Sequence, residues 1–301
     1  MKRSNLIKIL FLALIAAGVS ACKTVDIRPK YALENRTKED YNKGKELLKT
    51  AYLTMGYDKL ESKKTYQVNA YFKWKPFWTI VPLNSLPGSK RKDIVFRFTT
   101  NTFDGSVEFL EGRKKGKIYG IQSWQTYVID QKKDGQPKKI KHNRFNWGLA
   151  TYHYVIESPM RLLGAEIIRY AGERIFRGQS YDLVYATWGK DEPHKEHDQW
   201  LVYINKETGL IDLTEITIND FFLPMPKGMR GATIQTQRVK NEEGIYLPSL
   251  VTIQLGKPKR QKRHVYTFSL EDYKFDEFPI SVLTPLEDVA AGRDAKKEDE
   301  L

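Results

Sequence analysis

The sequence predicts a mainly β, antiparallel fold of about eleven strands, with one helix ahead of the sheet and two short helices interrupting it. Two patterns carry this expectation. Apolar and polar residues alternate with period two in successive runs from Tyr66 to Phe275, and most runs close on a turn signal. Between Asn146 and Tyr170 the period becomes helical: Leu149, Tyr152, His153 and Ile156, then Met160, Leu163, Ile167 and Tyr170, recur at helical spacing. A single cysteine in 301 residues leaves no disulfide to support the fold, so apolar burial must do it.

The chain opens with a basic segment (Lys2, Arg3, Lys8), an apolar run from Ile9 to Val19, and Val19-Ser20-Ala21-Cys22. The run is much shorter than the roughly 20 residues that span a bilayer. The final four residues resemble the lipobox of bacterial lipoproteins. That resemblance implies a signal peptide over residues 1–21 and lipid attachment at Cys22, which becomes the N-terminus and carries a diacylglyceryl group and a further acyl chain such as palmitate. Lys23 stands where an aspartate favours inner-membrane retention in many such proteins, so the implied address is the outer membrane of the cell envelope. The implied partner is its lipid bilayer, reached through Cys22.

The formal charge is +13, and removing Lys2, Arg3 and Lys8 with the signal leaves +10. Such a surface attracts anions. For an exported protein the fitting anions are lipid headgroups or acidic clients, and nucleic acid is not an expected partner. Lysines spread over the polar faces of strands give the same total with no partner at all.

Residues 22–36 read as a lipidated tether, short, polar and without periodicity. Thr37 and Asp40 make a capping-box-like start, after which Leu47, Leu48, Ala51, Tyr52 and Met55 recur on one helix face until Gly56. A turn over residues 57–62 leads to the first strand, where Tyr66, Val68, Ala70, Phe72 and Trp74 alternate with polar neighbours. Similar runs follow at Ile94, Phe96 and Phe98, around Val107 and Phe109, and less clearly over residues 118–129. Asp104-Gly105, Gly112 to Gly116 and Asp134-Gly135 are the turn signals between them. Ser158-Pro159 fits an N-cap followed by proline at the first helical position, which divides the helical region into two. Strands resume over residues 174–177, 181–188, 199–204, 210–218, 232–240, 245–255 and 264–275, with hairpin connections at 205–209 and 241–244. Residues 287–301 are charged and rich in small side chains, and are expected to be disordered.

This order of elements resembles the half-barrel of the LolA/LolB-like family of lipoprotein carriers and receptors. The residues that carry the likeness are Ala51 to Leu60 before the first strand, Trp200 to Ile211 across a hairpin with a Lys-x-Thr-Gly turn, and a final strand with aromatic alternation from Tyr266 to Phe275. The resemblance implies one half-barrel domain over residues 37–286, with a concave apolar face under the two short helices. It implies a non-enzymatic protein, without cofactor, that binds a hydrophobic ligand: an acyl chain, a lipid or a lipidated client.

On that reading Phe72, Trp74, Phe96, Phe98 and Phe109 face the concavity, and Trp147, Tyr152, Ile156, Met160, Leu163 and Ile167 line the covering helices. The same stripes equally describe a filled core. Residues 76–83, an aromatic and apolar segment between two prolines, are either a membrane or client contact through Phe77 and Trp78 or a loop folded against the rim. Residues 221–226 share that ambiguity. His194 and His197, flanked by acids, are the nearest approach to a metal cluster and leave a metal-dependent hydrolase as an alternative, with no third ligand indicated. A further alternative is an accessory subunit of an envelope complex. The segment Gly178-Gln-Ser180 lacks the second glycine of a nucleophile elbow.

Overall fold

The computed structural model describes residues 24–81, 83–100, 102–219, 221, 231–258 and 264–292. The expected signal segment over residues 1–21, Cys22, Pro82, residues 222–226 and residues 293–301 lie outside that range. Thirteen strands form one sheet: β1 (Thr65–Trp74), β2 (Asp93–Thr99), β3 (Gly105–Phe109), β4 (Lys117–Gln122), β5 (Gln125–Asp130), β6 (Pro137–Lys139), β7 (Ile167–Phe176), β8 (Gln179–Thr187), β9 (Trp200–Asn205), β10 (Ile211–Thr217), β11 (Gly231–Lys240), β12 (Tyr246–Leu255) and β13 (His264–Phe275). Their order is β6-β5-β4-β3-β2-β1-β13-β12-β11-β10-β9-β8-β7, so β6 and β7 are free edges and the sheet is open. The fold is mainly β and antiparallel as expected, with thirteen strands instead of about eleven. Residues 118–129 are two strands, joined by a turn in which Ser123 and Trp124 have φ of 45° and 65°. The short β6 had no sequence signal.

The helices are α1 (Lys30–Glu34), α2 (Lys38–Thr54), α3 (Tyr57–Glu61), α4 (Pro76–Thr79) and α5 (Asn143–Leu163). The two short helices expected in mid-chain are the two arms of α5, which breaks at Glu157 (φ −104°, ψ 18°) just ahead of Pro159. A proline cannot donate to the preceding turn, and its ring crowds the carbonyl four residues back. Ser158 does not cap the second arm, since its Oγ is buried without a hydrogen-bond partner. The helical spacing expected to reach Tyr170 ends at Gly164. Ile167 and Tyr170 belong to β7, where they pair with Thr187 and Val184. Ile167 therefore does not line a covering helix, a correction that follows from the β-branched pair Ile167-Ile168 favouring a strand.

The contacts gather into two compact units. The first comprises Met1–Ala51, Leu163–Gln235 and Ile253–Arg263. Its strand β9 is buried at all six positions, so both faces are covered. One face is covered by the N-terminal segment: Ile27 and Ala32 sit in a core cluster with Tyr181, Leu183, Tyr185, Leu201, Tyr203 and Leu213. Residues 24–36 are thus packed structure and not the tether expected from their composition. At the start of α2 the capping box is present, with Thr37 N donating to Asp40 Oδ2 (3.0 Å) and Asp40 N to Thr37 Oγ1 (3.2 Å).

The second unit comprises Tyr52–Leu162, Thr236–Thr252 and His264–Leu301. It contains β1 to β6, β13 and nearly all of α5. The composition of residues 287–292 placed them in the tail, yet their backbone is held to the β4–β5 turn and the start of β3. Gln122 Nε2 donates to the carbonyls of Leu286 and Val289, Ser123 Oγ to that of Ala290, and Gly292 N to Asp104 Oδ2.

Candidate functional site

In the second unit the alternation of β1 puts Tyr66, Val68, Ala70, Phe72 and Trp74 on one buried face, while Asn69, Tyr71 and Lys73 are exposed. Register then aligns the aromatics. Phe72 lies opposite Phe268 of β13 and Trp74 opposite Tyr266, while Tyr66 pairs with Phe98 and Val68 with Phe96 of β2. Phe72 and Phe268 stack at 5.1 Å, and Trp74 and Tyr266 at 4.5 Å. The result is a wall of rings in which Tyr66, Phe72, Trp74, Phe96, Phe98 and Phe268 have exposures at or near zero and Tyr266 is half-buried.

The first arm of α5 lies on that wall. Tyr152 is seated among Phe72 (5.5 Å), Phe96 (5.1 Å) and Phe268 (5.3 Å), with its hydroxyl 3.3 Å from that of Tyr266. Burial pushes the Tyr152 phenol well above its ordinary pKa, so it stays neutral. At the start of the arm Phe145 stacks on Tyr119 at 4.2 Å, and the Lys114 ammonium stands 4.1 Å from the Tyr119 ring centre and 4.7 Å from that of Phe145. Burial, with help from Lys117, pushes this lysine down to about 8.

Polar attachments gather at the break. Tyr66 Oη donates to Glu157 Oε1 (2.8 Å), Arg161 Nε to Glu157 Oε2 (2.6 Å), and Tyr57 Oη to the Ile156 carbonyl (2.7 Å). The Nη2 of Arg161 donates to the carbonyls of Thr100 and Thr102 in the β2–β3 connection. Glu157, His153 and Tyr66 are all fully buried. Burial holds His153 below the usual histidine pKa despite the nearby Glu157 carboxylate, so the ring is neutral at pH 7 and its contact with Glu157 is not an ion pair.

Of the residues singled out from sequence, the structure brings Phe72, Trp74, Phe96, Phe98, Tyr152 and Ile156 into this buried region, with Phe109 beside Phe145. Trp147, Met160 and Leu163 are half-buried on α5. Sequence reasoning missed Glu157 and Arg161, whose spacing of four is visible but whose inward direction is not. It named Phe268 only as part of an alternating strand. The indole Nε1 of Trp74 is buried with no acceptor.

The connection between β1 and β2 carries the second candidate. Phe77 and Ile80 are 66% and 69% exposed, Trp78 is half-buried, and Val81 is buried. The segment is therefore held at its base and open at its tip. Lys90 Nζ ties it down by donating to the carbonyls of Trp78, Thr79 and Val81. From Ser62 to Lys92 the sequence has seven Lys or Arg residues and no Asp or Glu. An exposed apolar tip in a cationic stretch suits an anionic, apolar surface.

His194 and His197 lie in the first unit with ring centres 5.1 Å apart, and His194 Nε2 is 2.9 Å from the Trp188 carbonyl oxygen. Among the described residues no group of three or more His, Cys, Asp or Glu side chains is placed to hold a metal ion.

Fold and site together define a mainly β protein with an open antiparallel sheet and an aromatic wall under a broken helix. No family model matches the sequence, and no curated protein matches it. Among solved structures the chain is similar to a LolA superfamily protein from Nitrosomonas europaea (TM-score 0.49, 12% identity, covering 80% of this chain and 96% of that one). It is also similar to a DUF1329 family protein from Desulfovibrio piger (0.47, 10%, 81% and 97%). A third is a putative outer membrane lipoprotein-sorting protein domain from Vibrio parahaemolyticus (0.46, 9%, 79% and 94%).

Proposed function

We propose that this chain is a non-enzymatic protein of the cell envelope, anchored to the outer membrane through lipidated Cys22, that binds an acyl chain, a lipid or a lipidated client between its aromatic wall and α5. The observation that carries the reading is how α5 is attached. Its charged and fully buried polar bonds gather at the break, whereas Tyr152 rests on the wall through its contacts with Phe72, Phe96 and Phe268 and a single long hydroxyl contact with Tyr266. Apolar contact is non-directional. A hydrocarbon chain can therefore replace the ring contacts at the cost of few hydrogen bonds, the Tyr152–Tyr266 hydroxyl contact among them, while the break keeps the helix attached. Phe77, with Trp78 and Ile80, would then supply the contact with the membrane or client from which the ligand comes.

The test is titration of the protein with a fluorescent long-chain fatty acid, together with lipid analysis of native preparations. Saturable one-to-one binding is expected, weakened at least about tenfold, or about 1.4 kcal/mol, by Tyr152→Arg and unchanged by Ile175→Arg at an exposed position of β7. No copurifying acyl chain and no saturable binding would overturn the reading.

A further inference from the structure

We propose that the first unit rests on the bilayer by the face that carries the β8–β9 loop, residues 188–199, because the N-terminal segment is fastened to that loop from Thr24 onward, close in sequence to the lipid-bearing Cys22. The inference rests on acylation of Cys22 as proposed above. It concerns which surface meets the membrane.

The N-terminal segment is fastened from its first described residue. Thr24 Oγ1 donates to the Pro193 carbonyl (3.1 Å), and Gln199 bridges the segment, donating to the Val25 carbonyl (2.7 Å) and accepting from Ile27 N (3.3 Å). Asp191 then gathers three arginines: Arg28 at 3.0 Å, Arg36 at 3.4 Å and the fully buried Arg169 at 2.7 Å. Arg36 also reaches Glu192 at 2.6 Å, and Arg169 donates to the Asn35 carbonyl (3.1 Å). Between these bonds Ile27 and Ala32 are buried in the core. No slack remains between residue 24 and residue 36.

Chain geometry turns this into an orientation. Two peptide links join Cys22 to Thr24, a span of at most about 7 Å, which bounds the distance between Pro193 and the acylated residue at about 15 Å. A free tether over residues 23–36 would reach about 50 Å and let the domain turn any way. The headgroup layer is itself several ångströms deep, so the loop lies at its surface. Strands β8 and β9 run from the loop to the hairpin at residues 206–209, at their opposite ends. That hairpin stands roughly 17–20 Å further off. The loop's exposed charges are Lys190 and Lys195 against Glu192 and Glu196, which balance. Attachment, not electrostatic attraction, sets the contact.

Cys22 is the only native cysteine and is blocked once acylated, so an introduced cysteine takes a thiol-reactive fluorophore alone. Acylated Lys195→Cys and Glu207→Cys proteins would be labelled and placed in phosphatidylethanolamine–phosphatidylglycerol vesicles containing a headgroup spin label. Quenching at 195 is expected to exceed that at 207 at least threefold and to persist in about 1 M salt, where the screening length is about 3 Å. Inserting a fifteen-residue Gly/Ser linker between Lys23 and Thr24 should bring the two sites together. Equal quenching at both positions in protein shown by mass spectrometry to be acylated would overturn this inference alone. An unmodified Cys22 would overturn the anchor and this inference with it.

Discussion

At Glu157 a carboxylate sits fully buried where a helix breaks, and it survives there because Tyr66 and Arg161 both donate to it. Removing one partner of such a buried pair leaves the other uncompensated. Arg161→Ala should therefore cost about 3–5 kcal/mol in urea unfolding. It would also strip the carbonyls of Thr100 and Thr102 of their donor. Nothing in the sequence shows that these charges point inward, because pairs spaced by four usually lie on wet faces. His153 adds a pH dependence. Its folded pKa is lowered by burial, so below about pH 6.5 the unfolded chain takes up a proton that the folded chain refuses. Stability is whole above that pH and falls as pH drops through it. Thermal melts should show a decline from pH 7.5 to 5.5, with a shallower slope in His153→Gln. The remaining slope belongs in part to His142, whose pKa burial also lowers.

Among the elements, α2 tests whether packing or propensity decides. Alanine in place of Gly44 would gain about 1 kcal/mol of helix propensity. Its Cβ, however, would stand 2.3 Å from the backbone carbon of Arg169 on β7, and backbone cannot swing aside. Gly44→Ala is expected to lose about 1–2 kcal/mol net, read by denaturant unfolding. Gly105 is similar: it is a strand residue and not the turn glycine its Asp-Gly context suggests. The Phe98 ring occupies the place of its missing Cβ, within 2.4 Å. What was legible at this scale followed residue chemistry. The Thr37–Asp40 box and the Asn205 hairpin carry their own hydrogen-bonding side chains. The β4–β5 turn was not legible, because Ser123 and Trp124 take positive φ without the glycine or asparagine that advertises it. The packing of residues 24–36 was hidden too, since it depends on Asp191 and Gln199 from far along the chain.

For the molecule as a whole, alternation is enough to reveal a sheet, since it records which face is buried, but it is silent on which strands are neighbours. The aromatic wall of the candidate site was legible as a stripe; its closure by Tyr152 needed the register of β1 with β2 and β13. The apolar tip at Phe77 and Ile80 belongs to the protein's outward face. Phe77→Ser with Ile80→Ser should reduce binding of the unacylated protein to anionic vesicles several-fold. Stability should move by no more than about 0.5 kcal/mol, as both side chains are largely exposed. Unchanged vesicle binding would remove this segment from the membrane contact.

The pairing of β1 with β13 also imposes a timetable. Each of the other sheet pairings joins strands consecutive in the chain, but Phe72 must wait for Phe268. A polypeptide synthesised from its N-terminus presents β1 early and β13 almost last. During that interval one edge of β1, beside its row of large rings, has no strand to pair with, and such an edge is an invitation to another chain. Completion of the sheet is thus a late, long-range event of the slow kind. A product cut short before residue 264 would keep an adhesive edge for its whole lifetime.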